Sequence, residues 1–341
     1  MPPYELSNAR NEPRAPAGKQ TGAGQGPARA EPVGQYKGLV VATIVLLCLF
    51  SAPLFHLIRF AATSLLYSHI LLVPFVSGYL VWLRRRTVRG GGAPDRGLAL
   101  LPLLAGLVVL GGYWTVLHSG WRPTEEDHLA WMTLSFVLLF WSACCFTVGK
   151  GTLRAMAFPL FFMVFMVPFP TVVRDWIETV LQQGSAMVAY ALFWLSGMPV
   201  LYTELHFQLP GFSLQVAPVC SGIHSSLVLF LTSLLAAHLF LRTPWRRAVL
   251  ILAVIPLGLL RNGFRIFVIG QLCVRIGPDM IHSPIHRNGG PLFFALSLAA
   301  FFLLLFFLKR SDRLPVANAH DVAGQAPRLP SFPTNANQDG V

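Results

Sequence analysis

Long apolar runs, separated by short polar loops, are the feature that most restricts what this chain can fold into. A helix needs roughly 20 apolar residues to cross the hydrocarbon core of a bilayer, which is about 30 Å thick. Of the 341 residues, 54% are hydrophobic and only 12% are charged, too few charges to cover a soluble protein of this length. The apolar runs occupy residues 39–58, 65–83, 98–117, 129–148, 155–169, 184–201, 218–241, 248–270 and 291–308. The sequence therefore predicts an all-α polytopic membrane protein.

The charged residues between these runs predict how the chain is oriented in the membrane. Lysine and arginine are enriched in cytoplasmic loops, and all the basic clusters of this chain can face the cytoplasm together if both termini do. The clusters are the N-terminal tail, Arg84–Arg86 with Arg89 and Arg96, Lys150 with Arg154, Arg242 with Arg246 and Arg247, and Lys309 with Arg310. The acidic loop Glu125–Asp127 then lies outside. Lipid headgroups account for the net charge of +12, and nucleic-acid binding is not expected.

The segment 155–217 determines how many times the chain crosses the membrane. It contains two apolar runs. It must nevertheless cross an odd number of times, because Lys150 before it and Arg242 after the next run, 218–241, are both expected to face the cytoplasm. Either 155–169 crosses and 172–201 lies at the outer interface as an amphipathic helix, or 155–169 dips into the membrane and returns. We favour the first path, and both paths give about eight transmembrane helices. Alternating residues on either side of Pro210-Gly211, within 201–216, predict a short β-hairpin at the outer face.

Both ends of the chain differ in composition from the apolar middle. Residues 1–37 are rich in Pro, Gly, Ala and Gln with scattered Arg and Lys, which is typical of disorder rather than of a cleavable signal peptide. Residues 311–341 are rich in Pro, Ala and Asn. We expect two disordered cytoplasmic tails around a transmembrane domain at 38–310, with any chemistry in the membrane part or its short loops.

Cys220 lies in APVCSGIHSS, residues 217–226, at the start of a long apolar run. Unpaired N–H groups and the positive end of the helix dipole favour a thiolate there, which is the nucleophilic form of cysteine. Gly222 would let another backbone or a substrate approach closely. The alternative is a buried, inert cysteine. The five cysteines include no CxxC pair, and zinc-ligand spacing is absent, so no metal and no cofactor are expected.

Two arginines one helical turn apart lie near the outer end of the run 248–270. A charge within the membrane costs roughly 2.5–3.5 kcal/mol on insertion scales. Arg261 and Arg265, with Asn262 beside the first, are therefore expected to share a helix face and to line a polar cavity or bind a ligand. The alternative is that their side chains extend to the lipid headgroups.

Histidines supply candidate bases at the same leaflet. His282 and His286 lie in the outer loop before the last apolar run, and histidine titrates nearest to neutral pH. His224 competes with them because, at i+4 from Cys220, it lies on the same helix face. A lone loop histidine is more often incidental. Here, however, Cys220, Arg265 and His286 converge on one leaflet from three different segments.

Taken together, these motifs resemble the exosortase/archaeosortase family. The resemblance covers about 67–308 and implies an integral-membrane cysteine protease or transpeptidase. Members cut exported proteins near a C-terminal tripartite signal: a short motif such as Pro-Glu-Pro, a transmembrane helix and a basic cluster. The matching segments are YSHILLVPFVSGYLVWLRRR at 67–86, FPLFFMVFMVPFP at 158–170, LPGFSLQVAPVCSGIHSS at 209–226, NGFRI at 262–266 and the histidine before the last span.

The resemblance implies roles for individual residues. Cys220 matches the nucleophile, Arg265 the family arginine, and His286 the histidine of bacterial members, where archaeal relatives carry an arginine. His224 stands where an arginine is more usual. Candidate supporting residues are His224, Arg261, Asn262 and His282.

The same resemblance implies partners and a location. The expected partners are exported proteins that carry the tripartite signal, the lipid bilayer and exopolysaccharide machinery. The expected location is the bacterial inner membrane, with both termini cytoplasmic and the active site facing the periplasm. The alternatives are a transporter or lipid-handling protein, or a non-catalytic component of an exopolysaccharide export system. A transporter predicts polar residues distributed across the depth of the bilayer, whereas here they cluster at one face.

Overall fold

The computed structural model describes residues 32–84, 96–120, 122–217, 221–277, 279–280 and 290–312. Most of these residues are helical, and two short 3₁₀ turns, Ser68–Leu71 and Met163–Met166, precede α3 and follow α6. The helices are α1 (Pro32–Leu49), α2 (Ser51–Thr63), α3 (Val73–Leu83), α4 (Arg96–His118), α5 (Glu125–Thr147), α6 (Lys150–Phe162), α7 (Thr171–Leu195), α8 (Ile223–Phe240), α9 (Pro244–Leu252), α10 (Val254–Arg275) and α11 (Gly290–Asp312). The predicted tails 1–37 and 311–341 lie outside the described residues, except where α1 and α11 extend into them.

Several of these helices can cross a membrane. Within the described ranges, five are long and apolar enough: α4, α5, α8, α11 and the continuous stretch Pro244–Arg275 that contains α9 and α10. The number rises to seven if each of two bent helix pairs is one span. A further apolar stretch, Ser68–Leu83, is shorter. The prediction of a multi-spanning helical membrane protein is therefore confirmed, while the number eight stays a prediction.

Proline explains both bent pairs. α1 and α2 are bent by 74°, and Pro53 in the first turn of α2 has no N–H to donate to the carbonyl of Leu49. The apolar run 39–58 is therefore divided between two helices. α6 with its 3₁₀ turn and α7 are bent by 93°, where Pro168 and Pro170 interrupt the helical hydrogen bonds. The bend at 93° is compatible with both paths predicted for the segment 155–217.

The chain between α7 and α8 forms a three-stranded antiparallel sheet in the order β1-β2-β3. The strands are β1 (Leu201–Thr203), β2 (His206–Leu209) and β3 (Phe212–Gln215). The predicted hairpin at Pro210-Gly211 is the β2–β3 pair, in which Leu209 faces Phe212 across the turn. The strand β1 was not predicted. It joins β2 through Glu204 and Leu205, both at positive φ (46° and 68°), whose residue types give no turn signal.

α7 packs along α10, and glycines on both helices allow the close approach. A Cβ atom on Gly263 would lie 2.5 Å from Cγ1 of Val188, and one on Gly184 would lie 2.9 Å from Cδ2 of Leu259. Gln182 and Ser185 of α7 are buried, while its exposed residues include the apolar Trp176 and Met187 and the polar Asp175 and Gln183. A long helix is therefore present within the predicted range 172–201, and some of its polar residues face the protein. Its position at the outer interface stays a prediction.

Candidate functional site

Three of the predicted site residues, Cys220, His282 and His286, lie outside the described residues. The chain is described again from Ser221, directly after Cys220, and α8 begins two residues later at Ile223. Ser221 is buried, with 2% of its surface exposed. The contacts of Ser221 and Gly222 are therefore the described contacts that lie nearest to Cys220 on the side of α8.

The polar face of α10 contacts this segment directly. Arg261 and Asn262 are buried, with 8% and 3% of their surfaces exposed. The Nη2 atom of Arg261 donates to the carbonyl oxygen of Gly222 (3.3 Å) and to Oγ of Ser226 (3.2 Å). Arg261 thus links α10 to the first turn of α8. This burial fits the expectation that Arg261 faces the interior of the protein and does not extend to the lipid headgroups.

Gly222 allows the contact because it has no side chain. Its backbone is left-handed (φ 71°), a conformation that glycine adopts readily and other residues rarely do. A Cβ atom at this position would lie 3.0 Å from Nη2 of Arg261 and 3.3 Å from the side chain of Asn262. A close approach at Gly222 is therefore present, but the approaching group is the Arg261 side chain and not the backbone or substrate that was expected.

Arg265 lies one turn further along the same helix face. It lines a small cavity together with Asn262, Ile266, Leu214 of β3 and Val216, which directly follows β3. The cavity has a volume of about 20 Å³, which is room for one water molecule. Arg265 therefore lies beside the chain that precedes residues 218–220, and Arg261 contacts the chain that follows them.

His224 faces a different space. It lies in the first turn of α8 and lines a cavity of about 390 Å³ with Ser68, His69 and Thr232. Its Nδ1 atom is buried and has no hydrogen-bond partner among the described residues. His69 is held by Nδ1, which lies 3.0 Å from the carbonyl oxygen of Leu66. In the described part of the structure, His224 and Arg265 thus line separate cavities.

Sequence reasoning missed two polar residues of α7 that contact the same segment. The Nε2 atom of Gln182, which is 8% exposed, donates to the carbonyl oxygen of Val216 at 2.5 Å. The hydroxyl of Ser221 donates to Oε1 of Glu178 at 3.4 Å. A spacing of four residues puts Glu178 and Gln182 on one helix face. The signal was available, but the amphipathic pattern had assigned both residues to the surface.

A polar network fixes the N-terminus of α7 against that of α5. Asp127 accepts hydrogen bonds from the backbone N–H of Thr171 (2.8 Å) and from the hydroxyls of Thr171 and Thr124. Arg174 forms an ion pair with Glu126 at 2.6 Å. The Tyr67 hydroxyl donates to the carbonyl oxygen of Phe169 at 3.4 Å. The acidic loop expected at the outer face thus positions α7.

The buried guanidinium of Arg261 brings positive charge to the start of α8. Among the residues that the structure describes, no group of three histidine, cysteine or acidic side chains could hold a metal ion. Buried guanidinium groups beside helix N–H groups stabilise negative charge, as a thiolate or an oxyanion requires.

Comparison with protein families matches residues 61–303 to one described as transmembrane exosortase. Comparison with curated proteins and with solved structures gives no significant match. The matched segment contains all the polar contacts described above, and it includes Cys220, Arg265 and His286. Because the match spans well over half of the chain, the protein belongs to the transmembrane exosortase family.

Proposed function

We propose that this protein is an integral-membrane cysteine protease or transpeptidase that cleaves the C-terminal tripartite sorting signals of exported proteins. The observation that carries the proposal is the contact between α10 and the start of α8. There the guanidinium of Arg261 binds the carbonyl of Gly222, two residues after Cys220. A thiol next to buried cations and free helix N–H groups is favoured as a thiolate, whereas a cysteine buried among apolar residues is inert.

In the proposed reaction, the Cys220 thiolate attacks the scissile carbonyl carbon and forms a tetrahedral oxyanion. Arg265 stabilises this oxyanion, because its helix face borders the strand leading to Cys220. The oxyanion collapses to a thioester, and the C–N bond breaks. His286 takes the thiol proton at the start and delivers it to the leaving amine. An amine or a water molecule then attacks the thioester and frees Cys220.

The proposed site lies at the outer face of a bacterial inner membrane, with both termini in the cytoplasm. This orientation is supported by the basic loops and by the acidic residues at the start of α5. The substrate's scissile bond would sit just outside its own membrane helix while its basic end stays in the cytoplasm. Exported proteins with the tripartite signal are the proposed partners, and exopolysaccharide machinery is a further proposed partner.

Co-expression with a tagged protein that bears a tripartite tail tests the proposal. We expect the wild-type enzyme to shorten the tagged protein, and Cys220→Ala to leave it at full length. Cys48→Ala is the matched control, because Cys48 is an exposed cysteine of α1 outside the site. Equal processing by wild type and Cys220→Ala would overturn the protease proposal and favour a transporter or a non-catalytic component. Sequencing the new C-terminus identifies the cleaved bond.

The same assay identifies the base. We expect His286→Ala to lose activity and His224→Ala to retain most of it, because His224 and Arg265 line separate cavities. Full activity of His286→Ala together with an inactive His224→Ala would assign the base to α8 instead.

A further inference from the structure

α7 contacts the chain on both sides of Cys220. Gln182 donates to the carbonyl of Val216, four residues before the cysteine, and Glu178 accepts from the hydroxyl of Ser221, the residue after it. The two side chains are one helical turn apart, a separation of about 5.4 Å along the axis. Each end of the segment 217–220 is thus held by a polar side chain of the same helix.

The contact at Ser221 continues into α8. The Ser221 hydroxyl, which donates to Glu178, also accepts from the backbone N–H of Ile223 at 3.5 Å. Ile223 is the first residue of α8, and its N–H is one of the groups that no helical carbonyl can accept from. Glu178, Ser221 and Ile223 therefore form a chain of hydrogen bonds that fixes the direction in which α8 starts. A carboxylate near a helix N-terminus is also favoured by the helix dipole.

α7 itself is held firmly where it makes these contacts. Its N-terminus is bound to α5 through Asp127 and Arg174, and its middle packs on α10 at Gly263, where no Cβ would fit. Rigid helices position a reactive group more precisely than loops do, and a displacement of about 1 Å can cost roughly 100-fold in rate. An arrangement of this kind suits the support of a nucleophile.

We infer that Glu178 and Gln182 are positioning residues for Cys220, acting through Ser221 and Val216. The inference rests on the proposed function, in which Cys220 is the nucleophile. The two residues hold Val216 and Ser221, which flank the segment that carries Cys220, beside the arginine face of α10. Loss of either contact is expected to lower the thiolate fraction of Cys220 and to slow its reaction with the substrate.

Alkylation of Cys220 in the full-length protein tests the inference without a substrate. The rate of modification by iodoacetamide is followed between about pH 5 and pH 10 by mass spectrometry of the peptide that contains Cys220, and the profile reports its thiolate fraction. We expect Glu178→Ala and Gln182→Ala to lower the rate at neutral pH about tenfold, the change that one hydrogen bond to a charged or buried group commonly makes. Gln183→Ala is the matched control, because Gln183 is the exposed neighbour on the same helix.

Three further variants separate positioning from loss of folding. Glu178→Gln keeps an acceptor for the Ser221 hydroxyl, so we expect it to recover most of the rate that Glu178→Ala loses. Ser221→Ala should be at least as slow as Glu178→Ala, because it also removes the acceptor for the Ile223 N–H, and the double variant should be no slower than Ser221→Ala. Losses that add fully in the double variant contradict a shared contact, as does a Glu178→Gln protein as slow as Glu178→Ala.

The inference and the proposed function fail in different ways. Unchanged alkylation profiles in Glu178→Ala and Gln182→Ala would overturn the positioning roles while leaving Cys220-dependent cleavage intact. Substrate cleavage by Cys220→Ala would overturn the proposed function, whatever the alkylation rates. Support for the inference requires slower alkylation and slower substrate cleavage in the same two variants, with Gln183→Ala behaving as wild type.

Discussion

At the scale of single residues, Gly222 joins an unusual backbone conformation to a buried contact. Its left-handed φ of 71° starts α8, and the space that a side chain would fill is occupied by the guanidinium of Arg261. The carbonyl of the same residue accepts from that guanidinium. One residue therefore sets the direction of α8 and the position of an arginine of α10.

We expect Gly222→Ala to reduce substrate cleavage at least tenfold in a protein that still folds. The left-handed conformation costs an L-residue about 1–2 kcal/mol, and the added methyl group must also displace Arg261. Gly197→Ala is the matched control, because Gly197 has the same φ of 71° with nothing within 4 Å of its would-be Cβ. Equal loss of cleavage in both variants would show that backbone strain alone, and not the arginine contact, explains the effect.

Arg261 is expected to contribute to stability through its shape as well as its charge. Arg261→Lys keeps the charge but cannot reach both Gly222 and Ser226 in the same planar geometry. We expect a loss of about 1–3 kcal/mol in the free energy of unfolding, measured as a lower Tm in detergent. Arg275→Lys, an exposed position at the end of the same helix, should leave Tm unchanged. A Tm for Arg261→Lys equal to that of Arg275→Lys would contradict this role.

At the scale of elements, α7 connects the acidic start of α5 to the candidate site. Asp127 fixes its first turn, and its residues Glu178 and Gln182 reach Ser221 and Val216, which flank the segment that carries Cys220. The sequence pattern predicts an amphipathic helix at the outer interface, but the pattern alone does not specify which of its residues meet the protein. In a membrane the surroundings are apolar, so polar side chains gain hydrogen bonds by facing the protein interior.

The first turn of α7 should depend on Asp127. We expect Asp127→Ala to lower the free energy of unfolding by about 1–3 kcal/mol, because the N–H and hydroxyl of Thr171 both lose their acceptor. Asp175→Ala removes an exposed carboxylate from an ion pair with Arg174, and such pairs contribute at most about 1 kcal/mol. The two variants are compared by their Tm in thermal unfolding. A larger effect of Asp175→Ala would contradict the assignment of Asp127 as the main attachment.

The contact between α7 and α10 should tolerate no methyl group at Gly263. The Cβ of Gly263→Ala would lie 2.5 Å from Val188 and 2.9 Å from the carbonyl oxygen of Ser185, so the helices must separate. Overpacking of this kind costs about 1–3 kcal/mol. Gly112→Ala in α4 meets nothing within 4 Å and should be neutral or slightly stabilising, because alanine favours helix more than glycine does. The Tm of each variant is compared with that of the wild type. A Gly263→Ala protein with an unchanged Tm would contradict the close packing.

At the scale of the whole molecule, crossings and orientation determine whether the site can meet exported substrates. We expect a cysteine introduced at Glu204 in the sheet to react with a membrane-impermeant maleimide in intact cells, because the proposed orientation puts the sheet at the outer face. A cysteine introduced at Lys150 should react only after the membrane is opened, because basic loops face the cytoplasm. Labelling of both positions from the same side would require an even number of crossings in 155–217.

The sequence by itself determined the class of the protein and the motifs of its candidate site. Apolar runs of sufficient length predict membrane helices whatever their neighbours, since each helix satisfies its own backbone hydrogen bonds. The hairpin at Pro210-Gly211 and the polar face of α10 followed from local patterns in the same way. The family resemblance, read from motifs in order, agrees with the match over residues 61–303.

Only the tertiary structure decided which faces of the helices meet. That Arg261 binds the carbonyl of Gly222, that His224 lines a different cavity from Arg265, and that Glu178 and Gln182 face inward are relations between distant parts of the chain. The periodicity of a helix shows which residues share a face, but not whether that face meets lipid, water or another helix. Packing between helices makes that choice, and it depends on glycines such as Gly263 whose effect appears only when two helices touch.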